Sequence, residues 1–140
     1  MGKINLKGVI IGGLVAGVVL NVFDFLLFGV ILQSDMAAFL QAAGKPPIGT
    51  SMMALFVALD FLYGVFLVWI YAAIRPRFGA GPATAIKAGL ISWVAVGLFH
   101  YLFESPMALW PSNVLMMATV VGLVAQPLAV VVGAKFYTEM

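Results

Sequence analysis

Cysteine is absent from this 140-residue chain, histidine occurs once, and charged residues are scarce. Without cysteine there is no disulfide, no thiol redox chemistry, no iron–sulfur ligation and no cysteine-type zinc site. A lone His100 cannot supply the paired histidines of a zinc-protease helix. Ser34, Ser51, Ser92, Ser105 and Ser112 sit in no Gly-x-Ser-x-Gly elbow, and no glycine loop leads to a Lys-Ser or Lys-Thr pair that would cradle phosphate. Charged residues make up 9% of the chain, too few to clothe a soluble domain or to build a basic patch for nucleic acid. Neither catalysis, nor a cofactor, nor a nucleic-acid partner is expected.

What is present is apolar. Four stretches, about Gly8–Leu32, Thr50–Ile74, Ala83–Phe103 and Val114–Phe136, each exceed the ~20 residues a bilayer core requires. Mean hydropathy is +1.16, which leaves no room for a cytosolic module. The expected fold is all-α: one transmembrane domain over residues 1–140, a four-transmembrane-helix bundle in contact with the lipid bilayer. Lys3 and Lys7 precede the first run, but it continues without a small-residue cleavage motif and reads as an uncleaved helix. Gly2 lacks the hydroxyl residue that a myristoylation signal needs.

The cations set the orientation. Lys3, Lys7, Arg75, Arg77, Lys87 and Lys135 fall at the N-terminus, around the second loop and at the C-terminal end, whereas Lys45 is alone in the first loop. Short cytoplasmic loops carry the excess of Lys and Arg, so both termini and the second loop are expected in the cytoplasm. Trp69, Tyr71 and Tyr137 fit the inner aromatic belt, and Trp93 lies deeper.

The chain also matches itself. Gly13-Leu14-Val15 aligns with Gly89-Leu90-Ile91, and Phe23-Asp24-Phe25-Leu26 with Phe99-His100-Tyr101-Leu102 at the same offset. Ser34-Asp35-Met36-Ala37 corresponds to Ser105-Pro106-Met107-Ala108, and Met52-Met53-Ala54 to Met116-Met117-Ala118. Two duplicated hairpins, about 8–74 and 83–137, would be related by a pseudo-two-fold axis along the membrane normal. In the outer loops, Ser34 or Asp35 is positioned to cap a short interfacial helix Met36–Ala43 that Gly44 ends, and Ser105-Pro106 starts a shorter turn. Phe39 and Trp110 would then sit at headgroup depth, and Ser112 or Asn113 would cap the fourth helix. The segment Arg75–Pro82 reads as a breaker-rich turn.

Small residues mark where helices meet. Gly13 and Gly17 on the first run, Gly89 on the third and Gly122 on the fourth allow close approach in lipid, either inside the bundle or at a seam between copies. Polar groups share these faces: Asn21, Asp24, Asp60, His100, Glu104 and Gln126. An ionisable group at mid-membrane costs about 2.5–3.5 kcal/mol on insertion scales and so turns inward and pairs. On ideal helices Gly13, Gly17, Asn21 and Asp24 share a stripe, as do Gly89, Ser92, Val96, His100 and Glu104. The expectation is an Asp24–His100 pair across the pseudo-axis, joined by Asp60 in the outer half. Such a cluster reads as a satisfied buried network, as a proton or cation site, or as a metal site on His100, Asp24 and Asp60. Met36, Met52, Met53, Met107, Met116 and Met117 at the outer end would suit Cu(I) if they converged on His100. Gln126-Pro127 is a candidate kink, and His100 with Glu104 a candidate acid–base or salt-bridged pair.

Gly12-Gly13-Leu14-Val15-Ala16-Gly17, followed by Asn21 and then Asp24-Phe25-Leu26-Leu27, resembles small bacterial four-helix integral membrane proteins for which no activity is established. That resemblance implies a bacterial inner membrane and no chemistry. Two functional expectations follow. One is a small accessory or scaffolding subunit that packs against other membrane-protein subunits or itself. The other is a proton, cation or small-solute carrier or channel, working as an oligomer through the polar cluster.

Overall fold

A computed structural model describes residues 3–140 and contains, among them, helices and no strand. The helices are α1 (Leu6–Ile31), α2 (Gln33–Ala42), α3 (Thr50–Phe78), α4 (Pro82–Met107) and α5 (Ser112–Ala134). All but α2 are long and apolar enough to cross a membrane. At 1.5 Å per residue even the 23-residue α5 reaches ~34 Å, more than the ~30 Å hydrocarbon core. The chain thus forms four helices that are long and apolar enough to span a membrane, in the places the apolar runs predict.

Successive long helices run antiparallel. Gly13 and Gly17 of α1 face Val65 and Phe61 of α3, Gly12 faces Gly133 of α5, and Gly89 of α4 faces Pro127 of α5. Both chain ends and the α3–α4 loop therefore lie at one end, the near end. The contacts there are specific. Asn5 Oδ1 accepts from Gly8 N–H at 3.1 Å, capping α1, while Asn5 Nδ2 donates to the Thr138 carbonyl at 2.9 Å. Arg75 Nε lies 3.7 Å from Glu139 Oε1. The loop is tighter than its prolines suggest. α3 continues through Pro76, where only one helical donor is lost, and Gly79 and Gly81 turn the chain at φ +84° and +118°. Gly81 N–H donates to the Tyr71 hydroxyl and Thr84 Oγ1 to the Phe78 carbonyl, fixing the turn to both helices.

The expected caps at the far end differ. α2 starts at Gln33 with no side-chain cap, and α5 starts at Ser112 after Pro111. Asp35 and Asn113 bond each other instead: Asn113 Nδ2 donates to Asp35 Oδ1 at 3.1 Å, joining the two far loops. Phe39 and Trp110 meet beside them at 5.0 Å between rings. Gly44 ends α2 at φ +64°, as expected. Tyr71 and Tyr137 are buried edge-to-face rather than placed in a belt, and Trp69 is exposed.

Packing density is uneven along the bundle. Ala16, Leu67, Val68, Ala85, Ala88, Ala129 and Val130 are fully excluded from the surface and close the near half. A second, smaller cluster of Leu27, Leu32 and Val114 closes the far end between α1 and α5. Between them the far halves of α3 and α4 separate: no residue from Thr50 to Leu59 is buried, nor any from Trp93 to Met107.

Candidate functional site

Asp24 and Asp60 come together. α1 and α3 touch backbone to backbone because a Cβ on Gly64 would collide with the Gly13 carbonyl and the Gly17 backbone, so glycine at all three positions permits the approach. Asn21, one turn farther, donates through Nδ2 to the Gly17 carbonyl at 2.9 Å and the Val57 carbonyl at 3.4 Å, fixing the register of α1 on α3. In that register the Asp24 and Asp60 side chains come to the same small cavity.

The pair lines a cavity of about 150 Å³ between α1, α3 and α5. Its wall is mostly apolar, from Leu20, Leu27, Phe28, Ala118, Val121 and Ala125. Tyr63, one turn below Asp60, and Gln126 add polar groups. Toward the near end a three-residue network forms the floor. The Ser92 hydroxyl donates to the Tyr63 oxygen at 2.7 Å, and the Tyr63 hydroxyl donates to Gln126 Oε1 at 2.9 Å. Ser92 is 2% and Gln126 8% exposed, so these bonds are shielded from competing water. Gln126 Nε2 has no hydrogen-bond partner among the described residues and lies beside Gly122 at the cavity wall. At the far end Leu27, Phe28, Ala118 and Val121 belong both to the cavity wall and to the small far cluster, which roofs it. Asp24 is exposed at the open side, on the flank of the bundle.

His100 does not join this cluster. It is exposed, and no hydrogen bond or ion pair among the described residues links it to Asp24 or Glu104. The cause is a π-helical turn over Trp93–Leu98. One extra residue in a turn rotates everything beyond it by ~100°, so Gly89 and Ser92 face the bundle while Val96 and His100 leave it. Trp93 itself packs into the bundle, donating Nε1 to the Thr119 carbonyl at 2.8 Å. Glu104 is half-buried at the far rim. Of the expected group of Asp24, His100 and Asp60, the two aspartates come together and His100 does not. The metal reading on His100, Asp24 and Asp60 loses its geometry: among the described residues no three His, Asp or Glu side chains converge as ligands. Of the six far-end methionines, Met52, Met53, Met107 and Met116 are exposed, and Met36 and Met117 pack against the small far cluster of Leu27, Leu32 and Val114.

Gly122 also changes role. A Cβ there would meet Trp93 and Gln126 at 3.4–3.5 Å, ordinary contact, so it lines the cavity without bringing helices together. Gly133, against Gly12, is the close-approach residue of α5. Pro127 is buried where Gly89 seats on its backbone. Tyr63, the hub of the floor, and Gly64 beside it were not singled out from the sequence. Their signals were a hydroxyl-bearing aromatic and a glycine in the interior of a long apolar helix, far from either interface. Compared with protein-family models, curated proteins and solved structures, the chain has no match.

Proposed function

We propose that this protein is a small carrier of the bacterial inner membrane that exchanges protons for a cationic solute at the Asp24–Asp60 pair. The observation carrying this reading is the meeting of two carboxyls from different spans at the wall of a small cavity within the membrane-crossing region. Two bare carboxylates ~4 Å apart repel by ~4 kcal/mol at an effective dielectric of 20. The pair therefore needs a shared proton or a bound cation, and intramembrane acids of this kind recur in proton relays and coupling sites. A cavity of about 150 Å³ also has room for several waters beside the pair. The packed near half below that floor blocks passage in this conformation, as alternating access requires of one of its states.

The excess of Lys and Arg at the termini and around the α3–α4 loop supports a cytoplasmic side for that end, which would put the cavity in the outer half. The duplicated-hairpin reading gains support from packing: Gly13 and Gly89, equivalent in the two repeats, each press against the backbone of the following span. The far-end contact of Phe39 with Trp110 suits an outer interfacial position for both loops. A second reading, an accessory subunit that joins other membrane proteins or copies of itself, is favoured by Thr50–Leu59, ten residues of which none is buried.

Proteoliposomes separate the two. With a pH-sensitive dye inside and a gradient of Na⁺, K⁺ or ethylammonium imposed in turn, the wild-type protein should move protons against at least one of these cations, and Asp60→Asn should lower that rate at least tenfold while leaving thermal stability in place. Proton movement equal to protein-free vesicles, or undiminished in both Asp24→Asn and Asp60→Asn, would overturn the carrier reading.

A further inference from the structure

Resting on the carrier reading, we infer that the cavity takes a small organic ammonium that enters from the bilayer through the flank of the bundle. Three features of the cavity select that class over an inorganic ion. First, the donors are too few for a metal cation. Mg²⁺ and Ca²⁺ need six or more oxygens, and here two carboxyls converge with no third acidic or imidazole ligand among the described residues. Second, the rest of the wall is apolar or aromatic, with Leu20, Phe28 and Val121 around the acids and Tyr63 below them. An alkyl or benzyl body gains from that surface, and an aromatic face favours an adjacent ammonium. Third, Gln126 is over nine-tenths buried and turns an unpartnered NH₂ toward the same space, a fixed donor that the π-face of an aromatic ligand body can accept from while its ammonium meets the acids.

The route follows from what is closed. Leu27, Phe28, Ala118 and Val121 roof the cavity, and the Tyr63–Ser92–Gln126 network floors it. Asp24 is both exposed and part of the wall, and no residue of α4 contributes to that wall. An amphipathic cation partitions to the acyl–headgroup boundary and needs no aqueous path to reach such an opening. Binding is then a balanced exchange: the ammonium N–H groups donate to the carboxylates, and the proton shared by the pair leaves.

The test uses the full-length protein in lipid nanodiscs with benzylammonium as the probe and benzyl alcohol as its neutral counterpart. Benzylammonium should raise the melting temperature and benzyl alcohol should not. Asp60→Asn should weaken benzylammonium binding at least tenfold, read by calorimetry. Gly122→Val, which fills the wall where a Cβ has ordinary contacts and leaves both acids in place, should weaken it similarly. Equal binding of the alcohol and the ammonium, or benzylammonium affinity unchanged in both variants, would overturn the inference. If proton movement in proteoliposomes persists while benzylammonium fails to bind wild type, the carrier reading stands and this ligand class falls. If both fail, the two fall together.

Discussion

Tyr63 is the residue on which the cavity floor depends, because one hydroxyl serves two helices. It accepts from Ser92 of α4 and donates to Gln126 of α5 while standing on α3. Removing it leaves a buried serine and a buried amide each short of a partner, and unmet buried groups cost more than a bond contributes when made. Hydrogen bonds between membrane helices contribute ~0.6 kcal/mol on average, because the unfolded chain in lipid finds other partners. Two bonds lost together place Tyr63→Phe at about 1 kcal/mol of destabilisation, measured by denaturant titration in detergent micelles. Adding Ser92→Ala to that background should cost less than Ser92→Ala alone, since its partner is already gone. Equal costs in both backgrounds would mean that the floor is not a connected network. Asp24 obeys different physics. It was legible in the sequence as an ionisable group at membrane depth with Asp60 beside it, but the departure of His100 was not, since pairing depends on which side of the neighbouring helix arrives.

Helix register explains why His100 lies outside the group expected for it. An ideal 3.6-residue period carries Gly89 and Ser92 to the bundle and would carry His100 with them. The π-helical turn at Trp93–Leu98 breaks the period, and no composition signal marks it beyond an apolar segment like every other. A second such turn at Leu27–Ile31 lies beyond Asp24, so α1 keeps ideal phase through Gly13, Gly17, Asn21 and Asp24. The stripe on α1 was therefore readable and the stripe on α4 was not. Close approach between elements follows the same division. Gly13 and Gly17 stood out because they repeat four apart, whereas Gly64 has no such companion on α3. The consequence is a contrast between two glycines. Gly64→Ala drives a methyl into the Gly13 carbonyl and the Gly17 backbone, which cannot rotate away, and should cost about 1–3 kcal/mol. Gly122→Ala finds ordinary contacts and gains helix propensity of up to ~1 kcal/mol, so it should be neutral or stabilising. Unfolding midpoints of the two variants check this, and a reversed order would refute the assignment of the α1–α3 contact.

Across the whole molecule, the four spans and their alternation were readable because hydropathy acts over twenty residues and tolerates local irregularity. The uneven packing was not, since a fully apolar helix carries no sign of which length of it meets a neighbour and which meets lipid. Orientation is a separate matter from packing, because it is set during insertion by charge outside the bilayer. The near end gathers Lys7, Arg75, Arg77 and Lys135, whereas Lys45 is the single cation of the α2–α3 loop. Acidic groups at the near end do not reverse this, for Asp and Glu contribute little to insertion. The cysteine-free chain allows a direct test, with one reporter thiol at each end. A membrane-impermeant maleimide should label Lys45→Cys in intact cells whose outer membrane has been permeabilised. It should label Ala80→Cys, in the glycine-flanked α3–α4 turn, only after lysis. Labelling of Ala80→Cys in intact cells would invert the protein and turn the cavity that Asp24 and Asp60 line toward the cytoplasm.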